Sequence, residues 1–222
     1  MNVTEHAEHH PALQHHFEDL GQQHEASTLG MWVFLATEIM FFGALFFAYA
    51  LYRHQFYDAF IAASHHQNIV LGTVNTAVLI FSSLTVVLSV YFAQTSNRKA
   101  LVWALIATMI LGAVFLGIKA IEYHEHFEHH LFPGQNFSMP EVTLPVAQNA
   151  QMFYVLYFLM TGLHALHMVI GLGIFAWLTW RANRGEFSIE YYGPVEVCGL
   201  YWHFVDIIWI FLFPLLYLIG RH

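Results

Sequence analysis

Apolar side chains gather along this chain into five long runs separated by polar stretches. Each run approaches or exceeds the ~20 residues that a helix needs to cross the hydrocarbon core of a bilayer. The pattern predicts an all-α integral membrane protein, a bundle of five transmembrane helices over about residues 29–52, 70–93, 100–121, 152–180 and 199–219. Residues 1–28 are polar and rich in His and acid (His6, Glu8, His9, His10, His15, His16, Glu18, Asp19). Too few apolar side chains lie there to offset the entropy of ordering, so a solvated tail is expected ahead of a membrane domain at 29–222. The longest connection, 122–151, contains Pro133-Gly134, Pro140 and Pro145, which interrupt helices, and is expected outside the bilayer.

Composition agrees with lipid as the solvent. The chain is 58% hydrophobic and 10% charged, against about 25% charged for an average soluble domain. Its net charge of -8 and its seven scattered Lys and Arg exclude a nucleic-acid partner, which requires clustered cations. Cys198 is the single cysteine, so neither an internal disulfide nor a thiolate metal cluster is available, and an inert thiol is expected. No Lys or Arg precedes Arg53, so the basic start of a cleavable signal peptide is missing and the first span is expected to direct insertion.

Basic residues near the span ends set the expected orientation, because cytoplasmic loops retain Lys and Arg. Arg98, Lys99, Arg181 and Arg184 share a side with the N-terminus; Arg53, Lys119 and Arg221 lie opposite, with the acidic long loop. The expectation is N-terminus cytoplasmic and C-terminus periplasmic, in a bacterial inner membrane.

Ionisable residues inside spans are costly and point to function unless a partner explains them. Glu38 lies within the first run among Phe34, Phe41 and Phe42, where a bare carboxylate is poorly solvated, so it must be protonated or paired. His164 and His167 share a helical face at i and i+3, as do His203 and Asp206. A polar cluster is expected in which Glu38 meets a histidine or Asp206 across packed helices. Glu38 is a candidate for a proton-linked or lipid-linked role; for the histidines and Asp206, interhelical hydrogen bonding alone is the competing reading. Haem ligation by two of these histidines would require facing helices at matched depth, and the apolar neighbours of His164 and His167 fit helix packing instead.

The string Ile121-Glu122-Tyr123-His124-Glu125-His126 has the composition of a metal site. Solvation at the membrane boundary is the simpler expectation, with Lys119 and Glu122 paired across one turn and reaching water. Ala44, Ala48, Gly112, Ala113, Gly171 and Gly173 are expected to let helices approach closely. Trp32, Trp103, Trp177, Trp180 and Trp202 fall near span ends, as in an interfacial belt.

Four segments carry a resemblance. They are Met31-Trp32-Val33-Phe34-Leu35-Ala36-Thr37-Glu38-Ile39-Met40-Phe41-Phe42, then Ile118-Lys119-Ala120-Ile121-Glu122-Tyr123, then Thr161-Gly162-Leu163-His164-Ala165-Leu166-His167, and last Tyr201-Trp202-His203-Phe204-Val205-Asp206-Ile207-Ile208-Trp209. In this order and spacing the chain resembles subunit III of the haem-copper respiratory oxidases over about residues 29–219. The resemblance implies an accessory subunit with no cofactor of its own, packed on subunit I beside subunit II, with haem and copper held in those partners. It also implies bound phospholipid and support for proton uptake and active-site durability. By the same resemblance Glu38 matches the family's intramembrane glutamate and Glu122 its glutamate at the end of the third of this chain's spans. Arg181 and Glu196 match its polar residues near a lipid cleft. Long members have seven spans, the first two closing that cleft. This chain resembles the five-span members, in which a neighbouring subunit would have to complete it.

Two oxidase types fit the resemblance, one oxidising cytochrome c and one oxidising quinol, and the related subunit of a nitric oxide reductase system is a further alternative. A proton-linked transporter would also bury Glu, Asp and His, but it usually shows inverted repeats and broken helices. No internal repeat is evident here, and the five runs are uninterrupted.

Overall fold

The computed structural model describes residues 13–135, 137–140 and 142–220. His6, Glu8, His9, His10 and Arg221 lie outside the described residues. Six helices account for most of the rest: α1 (Leu20–Gln55), α2 (Tyr57–His65), α3 (Ile69–Gln94), α4 (Arg98–Glu128), α5 (Leu144–Arg184) and α6 (Gly193–Tyr217). All but α2 are long and apolar enough to cross a membrane.

Helix boundaries extend past the expected runs wherever a local device satisfies the terminal backbone. Asp19 Oδ1 accepts from Gln22 N at 2.7 Å, so α1 starts at Leu20 and takes in the last nine residues of the segment expected as solvated tail. Asn68 and Asn97 cap α3 and α4 in the same way. Pro145, expected to break helix, sits in the first turn of α5, where the missing N–H has no intrahelical acceptor to lose. The long connection therefore shortens to 129–143. At the other end of α5, Gly185 takes φ 77°, a left-handed cap that side chains resist.

The connection after α1 contains a helix that hydropathy did not indicate. In α2, Ala59, Phe60, Ala63 and Ser64 fall on one buried face, and the Phe60 ring packs edge-on to Tyr49 and Phe153.

α6 is the hub, touching α1, α3 and α5, while α4 closes the bundle against α3 and α5; among the described residues α1 reaches neither α3 nor α4. Trp202, expected in an interfacial belt, is instead fully buried at this hub. Its indole lies against Gly112 of α4 and Gly171 of α5, where an added Cβ would come within 2.9 Å of the ring at either site. Nε1 donates to Ser82 Oγ at 2.9 Å, so the polar edge is satisfied too. Gly173 and Ala113, by contrast, are not part of this contact: a Cβ on Gly173 would meet open space, and Ala113 is exposed. Trp32, Trp103, Trp177 and Trp180 are exposed.

Candidate functional site

α4 carries a buried stripe of Phe115, Lys119, Glu122 and His126, which recur at helical spacing on the face toward α5 and α6. Lys119 and Glu122 are 4% and 1% exposed, so the expectation that this pair reaches water is overturned. Two tyrosines replace water. Lys119 Nζ donates to Glu122 Oε2 at 3.1 Å and to the hydroxyls of Tyr157 and Tyr217, each at 3.0 Å. The three donors of the ammonium are thereby used. Tyr157 donates to Glu122 Oε1 at 2.8 Å, and Tyr217 donates to the same oxygen. His126 Nδ1 donates to the Glu122 carbonyl at 2.6 Å. The result is a closed charged ring that fastens α4, α5 and α6 in a medium where unpaired charges are costly.

Sequence reasoning paired Lys119 with Glu122 but missed both tyrosines. Nothing in one-dimensional spacing brings Tyr157 and Tyr217 to Lys119. Tyrosines within apolar runs, needing a partner for each hydroxyl, were the available signal.

Glu38 and His167 meet between α1 and α5, with Oε2 and Nε2 3.3 Å apart and both side chains largely buried. His167 Nδ1 lies 2.8 Å from the Leu163 carbonyl, which can only accept, so Nδ1 carries a hydrogen. An attractive contact at Nε2 then needs one more proton, on the imidazole or on the carboxyl. Glu38 and His167 thus form a carboxyl–imidazole dyad that bridges α1 and α5. Tyr201 donates to the His167 carbonyl at 2.9 Å, and the Phe42 ring packs edge-on to the imidazole.

His164 does not join His167. One turn earlier on α5 it turns inward, with Nε2 donating to the Val205 carbonyl at 3.1 Å and its ring between Phe115 and Trp209. His203 hydrogen-bonds Ser83 at 2.8 Å between α6 and α3. Asp206, one turn on, is 4% exposed, and neither of its oxygens has a hydrogen-bonding partner. Asp206 is therefore not the partner of Glu38.

Arg181 and Glu196 lie near the opposite end of the bundle from the Lys119 ring. Arg181 Nε donates to Glu186 at 2.5 Å, and the guanidinium stands over Trp177, 4.8 Å from its centroid. Glu196 lies 3.6 Å from His24 of α1. A cavity of about 480 Å³ opens here, walled by Arg181, Trp177, Tyr191, Tyr192 and His24. Among the described residues no three His, Cys, Asp or Glu side chains converge as a metal-ligand set. In the string 121–126, Glu122 and His126 turn inward while His124 and Glu125 turn out, which divides the would-be ligands between two faces.

Comparison with known proteins accords with this arrangement. The family model described as cytochrome c oxidase subunit III matches residues 15–221. The chain is 33% identical over 199 residues to the cytochrome c oxidase subunit 3 of Thermostichus vulcanus, covering 87% of each chain. It is 29% identical to a probable quinol oxidase subunit 3 of Staphylococcus haemolyticus, over 88% of this chain and 90% of the relative. A probable quinol oxidase subunit 3 of Staphylococcus aureus is 27% identical over the same shares. This integral membrane chain belongs to the cytochrome c oxidase subunit III family, the non-redox subunits of haem-copper oxidases whose cofactors reside in other subunits.

Proposed function

We propose that the chain is the accessory subunit of a proton-pumping terminal oxidase that oxidises cytochrome c, packed on subunit I in a bacterial inner membrane. Its N-terminus faces the cytoplasm and its C-terminus the periplasm. It retains phospholipid at the Arg181 and Glu196 end, while the Glu122 ring holds three helices in register. It supports proton uptake and the durability of the catalytic centre through Glu38.

The Glu38–His167 dyad is the observation that carries this reading. A carboxyl and an imidazole holding one shared proton inside a bilayer form a net-neutral group, and release of that proton leaves an uncompensated carboxylate, which drives its re-uptake. The Lys119 ring fastens α5 to α4 and α6 without this pair.

Glu38→Gln in the purified complex tests it. Assembly should persist while proton uptake slows or the number of turnovers before inactivation falls. Unchanged pumping, turnover and lifetime reduce Glu38 to packing. A quinol-oxidising complex is the second reading, favoured by the two staphylococcal relatives. The subunit II that co-purifies with this chain, and the donor the complex oxidises, distinguish the two.

A further inference from the structure

Among the described carboxyls within the spans, Asp206 differs from the others. The Lys119 ring is closed upon itself, and Glu38 has His167, but Asp206 is the one described carboxyl with both oxygens buried and unpartnered. Ser83 is the one hydroxyl that approaches it; bonded also to His203, it has a single hydrogen to give and can serve at most one of the two carboxyl oxygens, so at least one is left without a donor. In hydrocarbon no water is at hand to complete the set, and an unsatisfied polar group there costs free energy that a partner would recover.

Asp206 lies on the floor of a groove of about 450 Å³ between α3 and α6, lined also by Leu79, Ile80, Ser83, Leu84 and His203. The rim is exposed and apolar: Ile80 and Leu84 on α3, Ile207 and Ile210 on α6. An acyl chain could fill the apolar part, but it carries no hydrogen-bonding group at the depth of a mid-helix carboxyl. A helix from a neighbouring subunit can carry one, and ridge-into-groove packing would bring it to the floor.

We infer that the α3–α6 groove seats a transmembrane helix of the neighbouring catalytic subunit, and that Asp206 hydrogen-bonds a hydroxyl, amide or imidazole which that helix carries at the same depth. The inference rests on the reading of the chain as an oxidase subunit and deepens it by assigning the docking face. Because both oxygens are enclosed in the isolated chain, seating requires Asp206 or Ser83 to change rotamer, and the hydrogen bond forms as the groove is covered.

The test uses the assembled complex in native membranes, with a photo-crosslinking amino acid at Leu84 of an otherwise unaltered chain. A covalent product with the catalytic subunit is expected, and a product with a different subunit overturns the assignment of the partner. Products with phospholipid only, or no product, overturn the inference. In parallel, Asp206→Leu should lower the share of this subunit that stays with the complex through a detergent wash by about fivefold, and Asp206→Asn should restore most of it. Equal retention in both variants removes the hydrogen bond from the account. Should Asp206→Leu fail to accumulate, the Leu84 product still decides whether a helix is seated. If no oxidase subunit co-purifies at all, the proposed function fails; if the complex is intact and Leu84 meets only lipid, the docking face alone is lost.

Discussion

Lys119 and Glu122 stand one turn apart on α4 with their charges 3.1 Å from each other and neither side chain open to solvent. The pair survives burial because two tyrosine hydroxyls supply the hydrogen bonds that water would otherwise give. Removing one charge leaves the other uncompensated, at a cost on the order of 3–5 kcal/mol. Lys119→Met and Glu122→Leu should therefore each lower the thermal midpoint of the complex in detergent markedly. The double variant should recover much of that loss. A double variant as unstable as the two singles combined would mean that the charges do not act as a pair.

The Trp202 contact predicts a difference among glycines. An added methyl at Gly171 or Gly112 meets the indole at 2.9 Å, and the ring is fixed by its bond to Ser82. Gly171→Ala and Gly112→Ala should each destabilise the bundle by about 1–3 kcal/mol through overpacking. Gly173→Ala faces open space and should be neutral. Thermal unfolding of the three variants side by side checks this, and equal midpoints would remove the tight helix approach as its basis.

The dyad predicts non-additivity. If Glu38 and His167 act by sharing a proton, Glu38→Gln and His167→Gln should shorten the turnover lifetime of the complex alike. Combining them should shorten it no further, since either change already abolishes the shared site. Lifetimes that fall multiplicatively in the double variant would show that the two residues work separately.

The five spans were legible because hydropathy is a property of runs, and the bilayer enforces a length. What escaped was whatever depends on a partner distant in sequence. The α4 boundary was expected near residue 121 because Lys119 and Glu122 look like the edge of an apolar run. The helix runs on to Glu128, and within it Tyr157 and Tyr217 supply the partners that let Lys119 and Glu122 be buried. Trp202 was placed at an interface by its position along the run, yet two glycines on other helices open a slot that draws it to the centre. His164 and His167 share one helical stripe, but α6 and α1 lie on either side of it, so the two imidazoles part. Short amphipathic α2 has too few residues to register against the spans around it, and only its packing on Tyr49 and Phe153 marks it as structure.

The cavity beside Arg181 predicts where lipid is retained. Its guanidinium is partly engaged by Glu186 but stands on the aromatic faces of Trp177 and Tyr191, at the wall of an opening large enough for a headgroup. Arg181→Gln removes the cation while keeping a hydrogen-bonding side chain of similar length. The phospholipid retained per complex, counted by native mass spectrometry after mild delipidation, should then fall, with anionic lipids lost first. Arg184 supplies the control: its guanidinium packs on Trp180 at 3.7 Å, and its side chain does not line the cavity. Arg184→Gln should leave the lipid count unchanged. Equal losses in the two variants would mean that general positive charge at this end of the bundle, rather than the Arg181 cavity, retains the lipid.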